Sequence, residues 1–173
     1  INRTKSVRIA DIIPIEALRE QLEAARTVRF TPEEIAFFQG TRDFSKGIGE
    51  FKDYLGSYSL PEIEVRAVDG QYEVVSTSKD SILWETNVLA IVNQLLNIYR
   101  MKMLGLSKEQ VIREAEKVLR SKLSDLKKLP KGSVLEFGKR RRFSKDWQYR
   151  EYEILINEVP DIVTATSNVA QAI

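Results

Sequence analysis

The spacing of apolar residues along this chain changes several times, and each change marks an element. From Pro14 to Val28, Leu18, Leu22 and Ala25 recur at helical spacing with charges between them. Thr31-Pro32-Glu33-Glu34 is a helix start, with Thr at the cap, Pro at the first position and glutamate three residues after the cap. That helix is predicted to end near Gly40, and Glu50 to Leu55 predicts a further turn or two stopped by Gly56. The period then falls to two. Ile63, Val65 and Ala67 alternate before Asp69-Gly70, and Tyr72, Val74 and Ser76 alternate after it, which predicts a β-hairpin.

Ser81 to Leu104 carries apolar residues on more than one helical face, among them Trp84, Val88, Ile91, Val92 and Leu95, and predicts a helix buried on several sides. Gly105 ends it. Ser107-x-x-Gln110 is a second capping box, opening a helix with Val111, Ala115, Val118, Leu119 and Leu126. Pro130-Lys131-Gly132 predicts a turn and a domain boundary. Beyond it, Val134 to Phe137 predicts a strand and Ser144 to Glu158 a helix with Trp147, Ile154 and Leu155 inward. Pro160-Asp161 is a turn, Ile162 to Ala165 a second strand, and Thr166-Ser167-Asn168 leads into a further helix. This order, β-loop-α-β-loop-α, opens a parallel α/β unit. The fold class is therefore α/β, with residues 1–130 as a helical and β-hairpin domain and 131–173 as the first βαβ unit of a second.

Composition narrows the chemistry. A chain of 173 residues, 43% hydrophobic and 30% charged, suits one ordinary domain or one and a half small ones with a real core. Net charge is +2, so no global basic field points to nucleic acid or membrane. There is no cysteine, which excludes disulfides and thiolate metal sites and suits a cytoplasmic protein. There is no histidine either, so imidazole chemistry is excluded within these residues. No apolar run is long enough for a membrane span. No signal peptide opens the chain, and the first residue is Ile1 rather than Met, so an internal piece of a longer protein is expected.

The positive charge is local. In Gly138-Lys139-Arg140-Arg141-Arg142, four cations lie between a strand and a helix. Cations facing the positive end of a helix dipole cost stability, so an anion among them is expected. In parallel α/β folds ligands sit at the carboxyl ends of strands, where this loop and Thr166-Ser167-Asn168 both fall. If the two strands are neighbours, guanidinium forks face hydroxyls, an amide and helix-start N–H groups across one pocket, suited to phosphate or carboxylate. Plainer readings stand beside this one: a solvated basic surface, a simple N-cap at Thr166-Ser167-Asn168, and Phe137 as the last core residue of its strand. Trp84 and Trp147 read as core. Gly47-Ile48-Gly49 is too little for a phosphate loop, and no carboxylate cluster has metal-binding spacing.

These residues carry a resemblance. Asn2-Arg3-Thr4-Lys5-Ser6-Val7-Arg8, Leu83-Trp84-Glu85, Phe137-Gly138-Lys139-Arg140-Arg141-Arg142-Phe143-Ser144 and Thr166-Ser167-Asn168-Val169 resemble, in order and interval, segments of bacterial nicotinate phosphoribosyltransferases. The resemblance spans essentially the whole chain and implies the N-terminal half of a longer protein, lacking its beginning. It implies an α/β N-terminal domain followed by an irregular α/β barrel of the type II phosphoribosyltransferases. The implied reaction makes nicotinate mononucleotide and pyrophosphate from nicotinate and phosphoribosyl diphosphate, coupled to ATP hydrolysis, in NAD salvage. Mg accompanies the phosphorylated substrates, and the active sites form in a homodimer.

Residue by residue, the resemblance implies that Arg140 binds phosphoribosyl or nicotinate anions. Arg141 and Arg142 add to the field or brace the loop, and Phe137 lies against the pyridine ring. Thr166, Ser167 and Asn168 complete the substrate-binding set. Related nicotinamide-using enzymes place an aspartate at the Ser167 position, so the neutral serine favours nicotinate. The family's phosphoacceptor histidine falls beyond Ile173, so no catalytic residue is expected within this chain and the chain alone should not turn over. Three departures stand out: Glu136 where aspartate is common, Lys139 where threonine is common, and Ala165 where glycine is usual. The competing functions are a non-catalytic anion-binding or regulatory remnant of that family and, on the arginine run alone, a nucleic-acid-binding module, which the near-neutral net charge disfavours.

Overall fold

The computed structural model describes residues 7–40, 48–76, 81–166 and 168–172. The opening motif at 2–6, Gly47 and Ser167 lie outside the described residues.

Helix α1 (Ile15–Ala25) buries Leu18 and Leu22, four residues apart on one face. Helix α2 (Pro32–Gly40) begins at the expected capping box. The Glu34 amide donates to Thr31 Oγ1 at 3.2 Å, and the Thr31 amide donates to the Glu34 carboxylate at 2.9 Å. Helix α3 (Ile48–Ser57) runs through Gly56, one residue past the expected stop. The rings of Phe38 and Phe51 meet edge-on at 6.2 Å, which packs α2 against α3, and Tyr54 tilts against Tyr58 at 5.7 Å.

The hairpin is as expected. Strands β1 (Glu64–Val68) and β2 (Gln71–Val75) pair antiparallel in unbroken register, from Glu64 opposite Val75 to Val68 opposite Gln71. Asp69 and Gly70 both have positive φ, 51° and 76°, the conformation a two-residue turn demands and that aspartate and glycine tolerate. A 3-10 turn at Ile9–Asp11 sits on this hairpin, with the Ala10 amide donating to Gly70 O at 3.0 Å. Tyr72 donates to Ile13 O at 2.5 Å, and Arg19 of α1 donates to Val65 O at 3.0 Å. Ile13, Leu18, Leu22, Tyr58, Leu60, Val65, Trp84 and Leu95 form the first core. Each full burial there is worth about 1.5–3 kcal/mol.

Helix α4 (Ser81–Leu104) crosses this core as one long element. Buried Trp84 also donates from Nε1 to Pro61 O at 3.1 Å, so its polar edge is satisfied. Gly105, at φ 64°, ends the helix. Helix α5 (Lys108–Leu126) starts at a complete capping box of Ser107 and Gln110. Its inner face is carried by Leu119, Leu123 and Leu126, while Val118 is exposed.

Strand β3 (Val134–Glu136), helix α6 (Lys145–Glu158), strand β4 (Val163–Thr166) and the short helix α7 (Val169–Ala172) follow in the predicted order. The strands are parallel neighbours, with Val134 opposite Val163 and Glu136 opposite Thr166, and the register shifts between Val134 and Leu135. Ile154, Leu155, Val159, Ile162 and Val163 form a second core with Leu123. The packing crosses the expected division near Pro130, because α5 shares this core with the βαβ unit. Ion pairs tie α5 to α6 on the outside: Glu116 pairs with Arg150, Arg120 with Glu158, and Lys108 with Asp146. The α/β class read from the residues is the class of the structure.

Candidate functional site

Because β3 and β4 are parallel neighbours, their carboxyl ends open side by side. The condition on which the two-loop pocket rested is therefore met. Phe137, Arg140 and Arg141 follow β3. Thr166 ends β4, and Asn168 precedes α7.

The basic run does not enter the first turn of α6. Lys139–Arg141 form a 3-10 turn of their own, Arg142 is extended, and Ser144 caps α6 by accepting from the Trp147 amide at 3.1 Å. A 3-10 turn repeats every three residues, so Lys139 and Arg142 share a side and Arg140 and Arg141 do not. The four cations divide accordingly. Arg140 and Arg141 are exposed, whereas Lys139 and Arg142 are partly buried. Burial, and then the charge of Arg142, hold the Lys139 ammonium below its ordinary pKa, with Glu34 opposing. Burial likewise lowers Arg142, and its Nε is buried without a hydrogen-bond partner among the described residues. Neither side chain has an ion pair among the described residues, although Glu34 acts on Lys139 and Asp146 on Arg142 through their charges.

Helix α4 holds this loop from the other side. Asn93 and Asn97, four residues apart, share one face of α4. Glu85 pairs with the Arg140 guanidinium. Asn93 donates to Arg140 O at 3.2 Å and Asn97 to Phe143 O at 3.3 Å, while Gln94 accepts from the Lys145 amide at 3.2 Å. Two distant motif segments, Trp84-Glu85 and the arginine loop, are thus joined. Arg141 is left facing solvent with no ion pair among the described residues.

Phe137 is 85% exposed. It is not the last core residue of its strand. Leu135 is exposed on the same side, and the residue between them, Glu136, is only 8% exposed and points to the covered side. Its carboxylate accepts from the Gly138 amide at 2.5 Å, from Gln148 Nε2 at 3.3 Å and from Thr166 Oγ1 at 2.7 Å. Thr166 Oγ1 in turn accepts from the Asn168 amide at 3.1 Å. A Cβ at Gly138 would lie 2.6 Å from Glu136 Oε1, so glycine leaves room for the carboxylate.

The structure therefore brings together Phe137, Arg140, Arg141, Thr166 and Asn168 at one end of the sheet. Ser167, between Thr166 and Asn168, lies outside the described residues. Sequence reasoning missed Glu136, Gln148, Asn93 and Asn97 as site residues. The signal for Glu136 was a carboxylate inside an otherwise apolar strand; Gln148 and the two asparagines gave none beyond helical phase. Among the described residues no group of three or more His, Cys, Asp or Glu could hold a metal, and no helix is long and apolar enough to cross a membrane. A broad groove of about 780 Å³ along α6, lined by Tyr149, Tyr152, Ile156 and Gln171 among others, contains none of the expected site residues.

No protein-family model matches the chain. Among solved structures it is similar to a nicotinate phosphoribosyltransferase from Vibrio cholerae, at 27% identity and a TM-score of 0.72 over 91% of this chain and 38% of that one. It also has the fold of a nicotinate phosphoribosyltransferase from Porphyromonas gingivalis, at 24% identity and a TM-score of 0.70 over 91% of this chain and 39% of that one. The chain thus spans about two fifths of the length of either protein. It resembles the nicotinate phosphoribosyltransferases in fold as well as in its loop motifs, over nearly all of its own length.

Proposed function

We propose that this chain supplies substrate-binding loops of a nicotinate phosphoribosyltransferase, which joins nicotinate to phosphoribosyl diphosphate with release of pyrophosphate, coupled to ATP hydrolysis, in NAD synthesis. The observation that carries the reading is the shared strand end. An exposed aromatic and two exposed guanidiniums follow β3, and a threonine hydroxyl ends the neighbouring β4, which supports a shared anion-binding end. The transfer passes through an oxocarbenium-like centre while negative charge grows on departing pyrophosphate. Such a step needs fixed donors and cations more than a covalent nucleophile.

In this reading Arg140 and Arg141 face the anions and Phe137 lies against the pyridine ring. Thr166, Ser167 and Asn168 bound the opposite side. Mg arrives on the phosphorylated substrates, which suits a cation that keeps its waters and binds through phosphates. The chain acts as part of a cytoplasmic homodimer, and residues 1–130 and 131–173 belong to its two domains.

The test is phosphoribosyl transfer by the complete natural polypeptide, with nicotinate and nicotinamide as competing acceptors. Pyrophosphate release that depends on nicotinate and is lost in Arg140→Ala supports the reading. Release with nicotinamide alone, or none with either, overturns it. Ser167→Asp is expected to abolish the nicotinate preference, because a carboxylate there repels the nicotinate carboxylate. The alternative, a non-catalytic anion-binding or regulatory remnant of that family, predicts pyrophosphate binding without turnover.

A further inference from the structure

We propose that Glu136 is the positioning residue of this site: its buried carboxylate fixes the arginine loop and the Thr166-Asn168 loop relative to each other through reach rather than charge. The inference rests on the functional reading above for its kinetic arm only.

The argument begins with cost. A carboxylate at a strand position between two exposed apolar residues is expensive to bury unless its lone pairs are filled. Here three donors fill them, and no cation is paired with it among the described residues. The donors come from three separate places. The Gly138 amide belongs to the loop that presents the arginines, Thr166 to the end of the neighbouring strand, and Gln148 to the buried face of α6. Thr166 passes the constraint on, because its oxygen accepts the Asn168 amide at 3.1 Å. Gln148 is 1% exposed and its backbone carbonyl accepts from Gln171 Nε2 at 3.1 Å, so α7 is tied to the same turn of α6. Both loops thus hang on one side chain. Glu136 stands where the resemblance leads one to expect aspartate, and its extra methylene is what spans the distance to Thr166.

Reach and charge separate cleanly. Glu136→Gln keeps the length and loses the charge. Its amide oxygen can accept from Gly138 and Gln148, and its NH2 can donate to Thr166, whose hydroxyl proton turns to Gln171 Oε1, already 3.3 Å away. Glu136→Asp keeps the charge and loses the length. The experiment measures amide hydrogen exchange at Gly138 and Asn168 in the complete polypeptide, together with KM and kcat for nicotinate. In Glu136→Asp the Asn168 amide is expected to exchange about tenfold faster and KM to rise about tenfold, with kcat changed less, the size of one lost charge-assisted hydrogen bond. In Glu136→Gln both readouts are expected to stay near wild type. Amides in α1 and α4 should be unchanged in both variants, which excludes general loosening.

Impairment of Gln with sparing of Asp overturns the proposal in favour of a charge effect. Impairment of both equally, or of neither, overturns it as well. If the wild-type protein transfers nothing to nicotinate, the functional reading fails, yet the exchange at Asn168 still decides the role of Glu136.

Discussion

The two small sheets of this molecule are built on opposite plans. The β1–β2 hairpin closes through a two-residue turn, keeps its register along its whole length and buries Val65 against α1 and α4. The β3–β4 pair is parallel, shorter and broken in register, and it buries a glutamate while leaving Phe137 and Leu135 outside. The first arrangement is what burial of apolar surface favours. The second works against it and persists because donors from three elements converge on the carboxylate. Residues placed against their own solvation preference mark where a fold serves something other than its stability. The hairpin and its helices are scaffold, and the parallel pair carries the loops proposed above to meet the substrates.

The largest test of that contrast falls on the scaffold. Trp84 is buried in the first core and anchors Pro61. Trp84→Ala is expected to cost about 3–5 kcal/mol of unfolding free energy, read from the midpoint of a urea transition. A loss below about 1 kcal/mol would remove the ground for treating this core as the stable region.

The parallel pair and its loop predict the opposite sign. Lys139 is partly buried beside Arg142, and its pKa lies below the ordinary lysine value of 10.5. The folded chain therefore carries a penalty wherever the lysine is protonated in both states. As pH climbs through the folded-state value toward 10.5 the folded state sheds its proton first, the unfolded chain holds more protons, and stability rises. Lys139→Met is expected to stabilise the protein by about 1 kcal/mol at neutral pH, to flatten that alkaline rise, and to weaken pyrophosphate binding. Denaturation at several pH values and a pyrophosphate titration check the three effects. A variant that is less stable than wild type would place Lys139 with the scaffold.

How much of this was legible beforehand follows the same division. The hairpin announced itself because Asp69-Gly70 is a local turn between alternating runs, and local rules decide it. Both capping boxes, at Thr31 and Ser107, were read for the same reason. The order of the βαβ unit was legible from period and punctuation. The burial of Glu136 was not, since periodicity cannot show that donors from α6 and β4 will join the Gly138 amide on one carboxylate. The splitting of the four cations was hidden too, because it depends on a 3-10 turn no wider than the run itself. The polar row of α4 was masked by the apolar residues around it: Asn93 and Asn97 acquire meaning only once the arginine loop lies beside them.

The smallest predicted effect lies where the two regions touch. Glu85 extends from the scaffold helix α4 to Arg140 in the presenting loop, and both side chains are more than half exposed. An exposed pair of this kind contributes about 0–1 kcal/mol, so Glu85→Gln should leave the urea midpoint nearly unchanged. Its effect belongs to the ligand. In the free protein the Glu85 carboxylate repels any anion that approaches Arg140. One unit charge at roughly 8 Å in water is worth about 0.5 kcal/mol, or a factor of about two in affinity. Glu85→Gln should therefore bind pyrophosphate about twice as tightly at low salt, and the gain should vanish near 1 M salt, where the screening length is about 3 Å. If binding weakens instead, Glu85 serves Arg140 by holding the guanidinium in place. The line between scaffold and site then runs through α4 itself.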